Sequence, residues 1–415
     1  MSRKIVICLI ASICSQFYIF SLNAAETIIS PEAVKTVKTV KTVKTVITKK
    51  LDKKSSKPIV KIDEKKVAQF KQFVKDAKTG KTWAIFNIGK CYFSGYGVEK
   101  DLNKGIEWYI KAANKGHIGA MITLGECYKT GNGVKKEPQK ALEWFYMAIE
   151  KGNTDAMLKF AECCEQGIGV EKNYYDAMKW YQSAAKNGNV KAMNILGNYY
   201  EHGKATKINL SKAAAWYYRA AKKNDSEGMQ NFARCYHYGI GVRKNTVKAF
   251  KFYRKAAGTG DSSALYQLAR CYEKGIGTRR SNHQAADLYR KAAEKGDLLA
   301  MVKLAEYCWD DIDYAEGFKW YMKAAEKGSA IAMNKVGQCY KKGLGVKRDA
   351  TNPVSAFKWF LQGAKHGNPE AMFNAGSCYQ YGKGVKKDNK AAITWYQKAA
   401  KLGNSEAKQT LEFME

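Results

Sequence analysis

Apolar residues recur at helical spacing through most of this chain, and glycines and polar residues interrupt them at regular intervals. In residues 120–128, Ala120, Leu124, Cys127 and Tyr128 stand at i, i+4, i+7 and i+8, one face of a helix. Gly131 follows where a residue of positive φ ends a helix, and Gly133 and Val134 complete a short turn. The segment from Lys140 to Ala148 is again helical and closes at Gly152. The pattern predicts two helices joined by a Gly-x-Gly-Val turn.

This hairpin is repeated. Gly-Lys-Cys-Tyr at 89–92 returns as Gly-Glu-Cys-Tyr at 125–128, Ala-Arg-Cys-Tyr at 233–236 and 269–272, Gly-Gln-Cys-Tyr at 337–340 and Gly-Ser-Cys-Tyr at 376–379. The small residues Ala84, Ala120, Ala156, Ala192, Gly228, Ala264, Ala300, Ala332, Ala371 and Ala407 mark the period, with spacings of 36 six times, then 32, 39 and 36. Nine repeats follow, near 81–117, 118–153, 154–189, 190–225, 226–261, 262–297, 298–329, 330–368 and 369–404. Asp101, Glu137, Asn173, Asn209, Asn245, Ser281, Asp313, Asn352 and Asp388 share the slot before the second helix. All but Glu137 are good N-caps, and Pro138 and Pro353 sit one residue later, where proline is tolerated. Residues 63–80 read as a lone second helix capping the amino end, and 405–415 as a carboxyl cap, because end repeats lack one neighbour.

The unit Ala-x-x-x-Leu-Gly-x-x-Tyr-x-x-Gly-x-Gly-Val-x-Lys-Asp-x-x-Lys-Ala-x-x-Trp-Tyr-x-Lys-Ala-Ala-x-x-Gly-Asn resembles the Sel-1-like repeat, a relative of the tetratricopeptide repeat. Residues 118–153 and 370–404 match it almost slot by slot. The resemblance implies an all-α fold, a right-handed α/α superhelical solenoid over 63–415, whose members act as scaffolds or adaptors for other proteins. Bacterial members are often exported. A cysteine-rich subgroup bridges the helices of each repeat with a disulfide, but here Ala113, Ala185, Ala325 and Ala400 occupy the required slot.

Composition changes the picture at the amino end and in the charge. Ser2-Arg3-Lys4, the mostly apolar run Ile5 to Leu22 and the small residues Ala24 and Ala25 read as a signal peptide over 1–25. A retained membrane anchor is the competing reading, weakened by Ser12, Ser15 and Gln16. Residues 26–62 form a basic low-complexity linker in which Lys-Thr-Val is written four times, from Lys35 to Val46. With 71 Lys+Arg against 38 Asp+Glu, the net charge is +33. Cleavage would remove Arg3 and Lys4 and leave 33 − 2 = +31. A hydrophobic content of 46% excludes wholesale disorder.

Signals of chemistry are weak. Cys91, Cys127, Cys163, Cys235, Cys271, Cys339 and Cys378 share one slot, and stacked helices lie about 10 Å apart, beyond the reach of about 7 Å that a disulfide tolerates. They are expected to be buried, reduced fillers; Cys164 and Cys308, in the tyrosine slot, are left open. Ser183-x-x-Lys186, Ser355-x-x-Lys358, Lys78-Thr79-Gly80 and Lys129-Thr130-Gly131 echo penicillin-recognising enzymes, but they fall on predicted helices and helix ends rather than on a strand. The Gly-x-Gly-Val loops follow helices, so they read as turns, not phosphate cradles. Asp310, Asp311 and Asp313 read as a capped loop sooner than a cation site. The reading is therefore no enzyme, no cofactor and no metal.

On the first helix of each repeat, the slots of Phe86, Asn87, Lys90 and Ser94 point away from the core face. First helices line the concave surface of related solenoids. The candidate partner-binding residues are Asn87, Asn231, Arg234, Tyr238, Tyr266, Gln267, Arg270, Phe373 and Asn374. Taken singly, each is an ordinary surface position. Together, amides, rings and cations suit an extended peptide. The expectation is an exported, monomeric scaffold, periplasmic or secreted, that binds a protein or peptide. The alternative is a cationic module on an anionic surface such as membrane, envelope glycan or nucleic acid. A base-specific nucleic-acid reader is not expected, since 10 of the 71 basic residues are Arg and no recognition motif occurs. Intact-mass analysis of the exported protein should find the mature amino terminus at Ala25 or Glu26. A full-length chain would make Ile5–Leu22 a retained anchor instead.

Overall fold

The computed structural model describes residues 63–346 and 351–414. The expected signal segment (1–25) and basic linker (26–62) lie outside the described residues. The described residues hold twenty helices and no strand, and fall into two compact units that divide between Asn187 and Gly188. The fold is an α-solenoid of helical hairpins, each helix packed chiefly on its neighbours in the chain.

The first unit contains α1 (Glu64–Lys78), α2 (Thr82–Ser94), α3 (Leu102–Asn114), α4 (Ile118–Thr130), α5 (Pro138–Glu150), α6 (Thr154–Gln166) and α7 (Tyr174–Lys186). α1 is the unpaired cap. It buries Phe70 edge-on against Tyr92, with ring centroids 5.6 Å apart, and Ala77 is buried beside it. The hairpins α2/α3, α4/α5 and α6/α7 follow. Ala84, Ala120 and Ala156 are wholly buried on the first helices, and Tyr109, Phe145 and Tyr181 on the second.

The second unit contains α8 (Val190–His202), α9 (Leu210–Lys222), α10 (Ser226–Tyr238), α11 (Thr246–Ala257), α12 (Ser262–Lys274), α13 (Asn282–Glu294), α14 (Leu298–Asp310), α15 (Tyr314–Glu326), α16 (Ala330–Lys342), α17 (Pro353–Lys365), α18 (Pro369–Tyr381), α19 (Asn389–Lys401) and α20 (Ser405–Glu412). The same logic orders its core. The second-helix rings Tyr217, Tyr253, Tyr289, Tyr321, Phe360 and Tyr396 are buried, and at Gly197, Gly337 and Gly376 they lie where a first-helix side chain would otherwise stand.

Capping explains why the helices start where they do. Asp101, Asn173, Asn209, Asn245, Ser281, Asp313, Asn352 and Asp388 each accept a backbone N–H of the first turn of the second helix. Glu137 makes no such bond, and Pro138 takes the first helical position there. The first helices are capped as well: His117 Nδ1 accepts from Ala120 N at 3.1 Å, and Asn153, Asn189, Asp225, Asp261, Asp297, Ser329, Asn368 and Asn404 do the same three residues before a buried small residue. The shortened repeat dispenses with its glycine turn: α14 ends at Asp310 with Asp311 as its C-cap, Ile312 turns the chain at φ 65°, and Asp313 caps α15. The insertion before Asn352 reaches into 347–350, outside the described residues.

Each described cysteine is free and buried, Cys164 and Cys308 included. Burial raises the Cys91 thiol to about 11 and the Cys271 thiol to about 12, which leaves little thiolate at neutral pH. The enzyme-like tripeptides fall at helix ends, with Thr79 as the C-cap of α1 and Thr130 closing α4. Ser183 Oγ donates to Met157 Sδ at 3.6 Å.

The second glycine of the turn does more than bend the chain. At Gly241, φ is +66° and a Cβ would strike the Leu210 carbonyl of the preceding second helix. Gly367 also has a left-handed φ, +88°, but open space around its Cβ position. Gly367→Ala should therefore cost about 1 kcal/mol for the left-handed backbone alone. Gly241→Ala should cost about 3 kcal/mol, because the repeats must also part. Urea midpoints of the two variants measure the difference; equal losses would show that the close approach carries no energy.

Candidate partner-binding site

The four variable slots hold Gln230, Asn231, Arg234 and Tyr238 in α10, and Tyr266, Gln267, Arg270 and Lys274 in α12. These first helices touch directly. A pocket of about 180 Å³ lies between them. Gln230, Asn231, Arg234, His237 and Tyr238 line it from α10, and Gln267, Arg270 and Cys271 from α12; Tyr253 of α11 and Ile276 complete the lining.

Charge in the pocket is uneven. Arg234 donates from Nη1 to Glu201 Oε1 and from Nη2 to Glu201 Oε2, both at 2.6 Å, and Tyr217 Oη donates to Glu201 Oε2 at 2.9 Å. The Arg234 guanidinium holds the Glu201 carboxyl below its ordinary range, against a burial effect that would raise it. This chain of bonds fastens α10 to the preceding hairpin and cancels the charge of Arg234. Arg270 has no such partner: Nη1 donates to Gln267 Oε1 at 3.2 Å, and the guanidinium lies 6.0 Å from the centroid of the Tyr266 ring. Among the described residues no carboxylate pairs with it. His237 stacks on Tyr238 with ring centroids 4.2 Å apart. Burial, then the positive charges of Arg270, Lys244 and Lys274, hold its imidazole below its ordinary value and favour the neutral ring.

A bond made in four hairpins is missing here. In those four the buried second-helix tyrosine donates to a residue 16 positions earlier: Tyr181 to Glu165 at 2.8 Å, Tyr217 to Glu201 at 2.9 Å, Tyr289 to Glu273 at 3.0 Å and Tyr396 to Gln380 at 2.7 Å. For Tyr253 that residue is His237, whose ring turns to Tyr238 instead. Tyr253 is 5% exposed, and its hydroxyl has no hydrogen-bond partner among the described residues.

Of the residues singled out from the sequence, Asn231, Arg234, Tyr238, Gln267 and Arg270 meet around this pocket. Tyr266 stands beside it, half-buried against Tyr289 at 5.6 Å. Phe373 and Asn374 lie on α18, away from it. Phe373 packs on Tyr396 at 5.4 Å, and Asn374 Nδ2 donates to Asn334 Oδ1 at 3.0 Å. Asn87 is half-buried on α2 of the first unit. Sequence reasoning missed Gln230, His237 and Tyr253. Gln230 is drawn into an inter-repeat lock, donating from Nε2 to the α12 cap Asp261 at 3.1 Å and accepting from Ser263 Oγ at 3.0 Å. The available signal was His237, facing a tyrosine from the slot in which Glu165, Glu201, Glu273 and Gln380 answer the tyrosines of their hairpins.

The family model of the Sel1 repeat matches nine consecutive segments, 84–117, 118–153, 154–189, 190–225, 226–261, 262–297, 298–329, 330–368 and 369–404. The chain belongs to the Sel1 repeat family. It is similar to a protective antigen of uropathogenic Escherichia coli that displays an SLR fold, with 33% identity over 81% of this chain and 72% of that one and a TM-score of 0.52. It is also similar to a Sel1 repeat protein from Oxalobacter formigenes, with 28% identity over 55% of this chain and 96% of that one and a TM-score of 0.45. A comparison with curated proteins finds no match. Sel1 repeat proteins generally serve as scaffolds for protein interactions, and the fold is a non-enzymatic scaffold type. Among the described residues no helix of this Sel1 repeat protein is long and apolar enough to cross a membrane.

The Tyr217–Glu201–Arg234 chain makes stability depend on pH in a definite sense. The folded-state pKa of Glu201 is lowered, so its contribution is full above the unfolded carboxylate value of about 4.3 and fades as pH falls through the folded value. Glu201→Gln should cost about 2 kcal/mol at pH 7, through weakened bonds to Arg234 and Tyr217. Urea titrations at pH 7 and pH 3 check this: the gap between wild type and variant should narrow at the lower pH.

Proposed function

We propose that this protein is an exported, non-catalytic scaffold that binds a partner polypeptide along its first-helix face, with the pocket between α10 and α12 as the anchoring point. The observation that carries the reading is the meeting there of amides, aromatic rings and an arginine without a carboxylate. Amide side chains can bond a peptide backbone, rings can pack its side chains, and Arg270 can meet an acidic group. Membership of a family of interaction scaffolds supports the reading, and the resemblance implies a concave first-helix face. Export to the periplasm or beyond rests on residues 1–25, and the protein acts as a monomer.

The second reading, a cationic module on an anionic surface, draws on the net charge of +33. Part of that charge is folded onto the second helices: Lys111, Lys323 and Lys398 lie 4.8, 3.9 and 4.6 Å from the ring centroids of Trp108, Trp320 and Trp395. Salt separates the two readings. The mature chain, and a variant carrying Gln267→Ala and Arg270→Ala, would be exposed to envelope and culture extracts in about 0.1 M and about 0.5 M salt, where the screening length falls from about 10 Å to about 4 Å. A polypeptide held by the wild type alone in high salt is the expected result. Anionic lipid or glycan alone, lost in high salt and indifferent to the variant, would overturn the groove and favour the charged surface.

A further inference from the structure

The hydrogen-bonding capacity left over in the α10–α12 pocket is one-sided. Arg270 has donors beyond the one that meets Gln267 Oε1 at 3.2 Å. Gln267 keeps its amide N–H groups, since the bond from Arg270 engages only its oxygen. Asn231 and Tyr253 make no side-chain hydrogen bond among the described residues. The Tyr253 ring is buried, but its hydroxyl opens into the pocket and meets no acceptor among the described residues, so it is available to a ligand there. No aspartate or glutamate lines the cavity. Of the carboxylates next to its lining residues, Glu201 is already engaged by Arg234 and Tyr217, and Glu273 by Tyr289.

We propose that this pocket is a carboxylate site, which takes the side chain of a glutamate or aspartate on the bound polypeptide between Arg270 and Tyr253. The guanidinium supplies a planar, charged donor pair, and the phenol a third donor, standing where Glu165, Glu201, Glu273 or Gln380 supplies the acceptor in other hairpins. The partner's carboxylate would thus supply the acceptor that His237 does not. A side chain fits better than a chain end because Asn231 and Gln267 stand on opposite helices, ready to bond a backbone that continues past the pocket. This inference rests on the peptide-groove reading and sharpens it. The pull-down above tests that reading alone, so a partner retained there without carboxylate binding here would leave the groove standing and remove this site.

The test uses the mature chain and small probes. Without Arg3 the mature chain has nine arginines, so their Nε–H resonances can be followed singly by NMR. The probes are N-acetyl-glutamate N-methylamide, its glutamine counterpart, N-acetylglycine as a free chain end, and inorganic phosphate. The Arg270 resonance should shift saturably with the glutamate probe and stay still with the glutamine probe. Tyr253→Phe should leave the urea midpoint unchanged, because the hydroxyl it removes is idle, yet weaken the probe about tenfold. In Arg270→Gln, line broadening of the glutamate probe's own resonances, present with the wild type, should be lost. The site is overturned if N-acetylglycine or phosphate binds more tightly than the glutamate probe, if no probe shifts Arg270, or if Tyr253→Phe binds as the wild type does.

Discussion

Each hairpin is held by one buried ring that lies across a first-helix backbone at a position with little or no side chain. Tyr217 on Gly197, Phe360 on Gly337 and Tyr396 on Gly376 show the arrangement. A ring in that position brings two helices close, but its hydroxyl is then taken from water and must be answered. In four hairpins the first helix answers with an acceptor 16 residues earlier. At Glu201 the same acceptor also receives Arg234 of the next hairpin. The fold's internal requirement thereby becomes a joint between repeats.

Among the described residues the hydroxyls of Tyr109, Tyr253 and Tyr321 go unanswered, and the candidate site is the place where such a hydroxyl lines a pocket. His237 replaces an acceptor, Tyr253 keeps its hydroxyl idle, and Arg270 stands nearby without a counter-charge. A local breach of a rule that the neighbouring hairpins obey is where a binding site is to be looked for, since stability alone would favour repair. Elsewhere the same first-helix slots are absorbed by the structure. Phe373 covers Tyr396, and Asn374 bonds Asn334, so these positions read as surface in the sequence and serve as packing in the fold.

The hairpins were legible because their determinants are local. Cap residues, αL glycines and apolar faces all act within one or two turns, so the second-helix caps and the helix ends could be read from spacing. The first-helix caps carried the same signal in the Gly-Asn, Gly-Asp and Gly-Ser pairs before Asn153, Asp261 and Ser329, but their register was hidden behind the stronger one. What could not be read depends on how helices lie against each other. The Gln230–Asp261 lock spans 31 residues, and the Tyr253–His237 lapse becomes visible only when the ring's direction is known. Five of the nine candidate residues met at one pocket because they shared slots on adjacent first helices. The remaining four share those slots, but three are half-buried against other rings or amides and Asn87 lies in another unit.

The caps also bear on how the molecule would carry a load. Each helix ends on its own side chains and glycines, and within each unit its main contacts are with the helices beside it in the chain. No strand or disulfide among the described residues ties distant hairpins together. Tension along such an array falls on one interface at a time. A hairpin of 36 residues that gives way releases about 120 Å of extended chain while its neighbours stay folded. A tether built this way lengthens in steps, and a partner seated between α10 and α12 would stiffen the step it bridges.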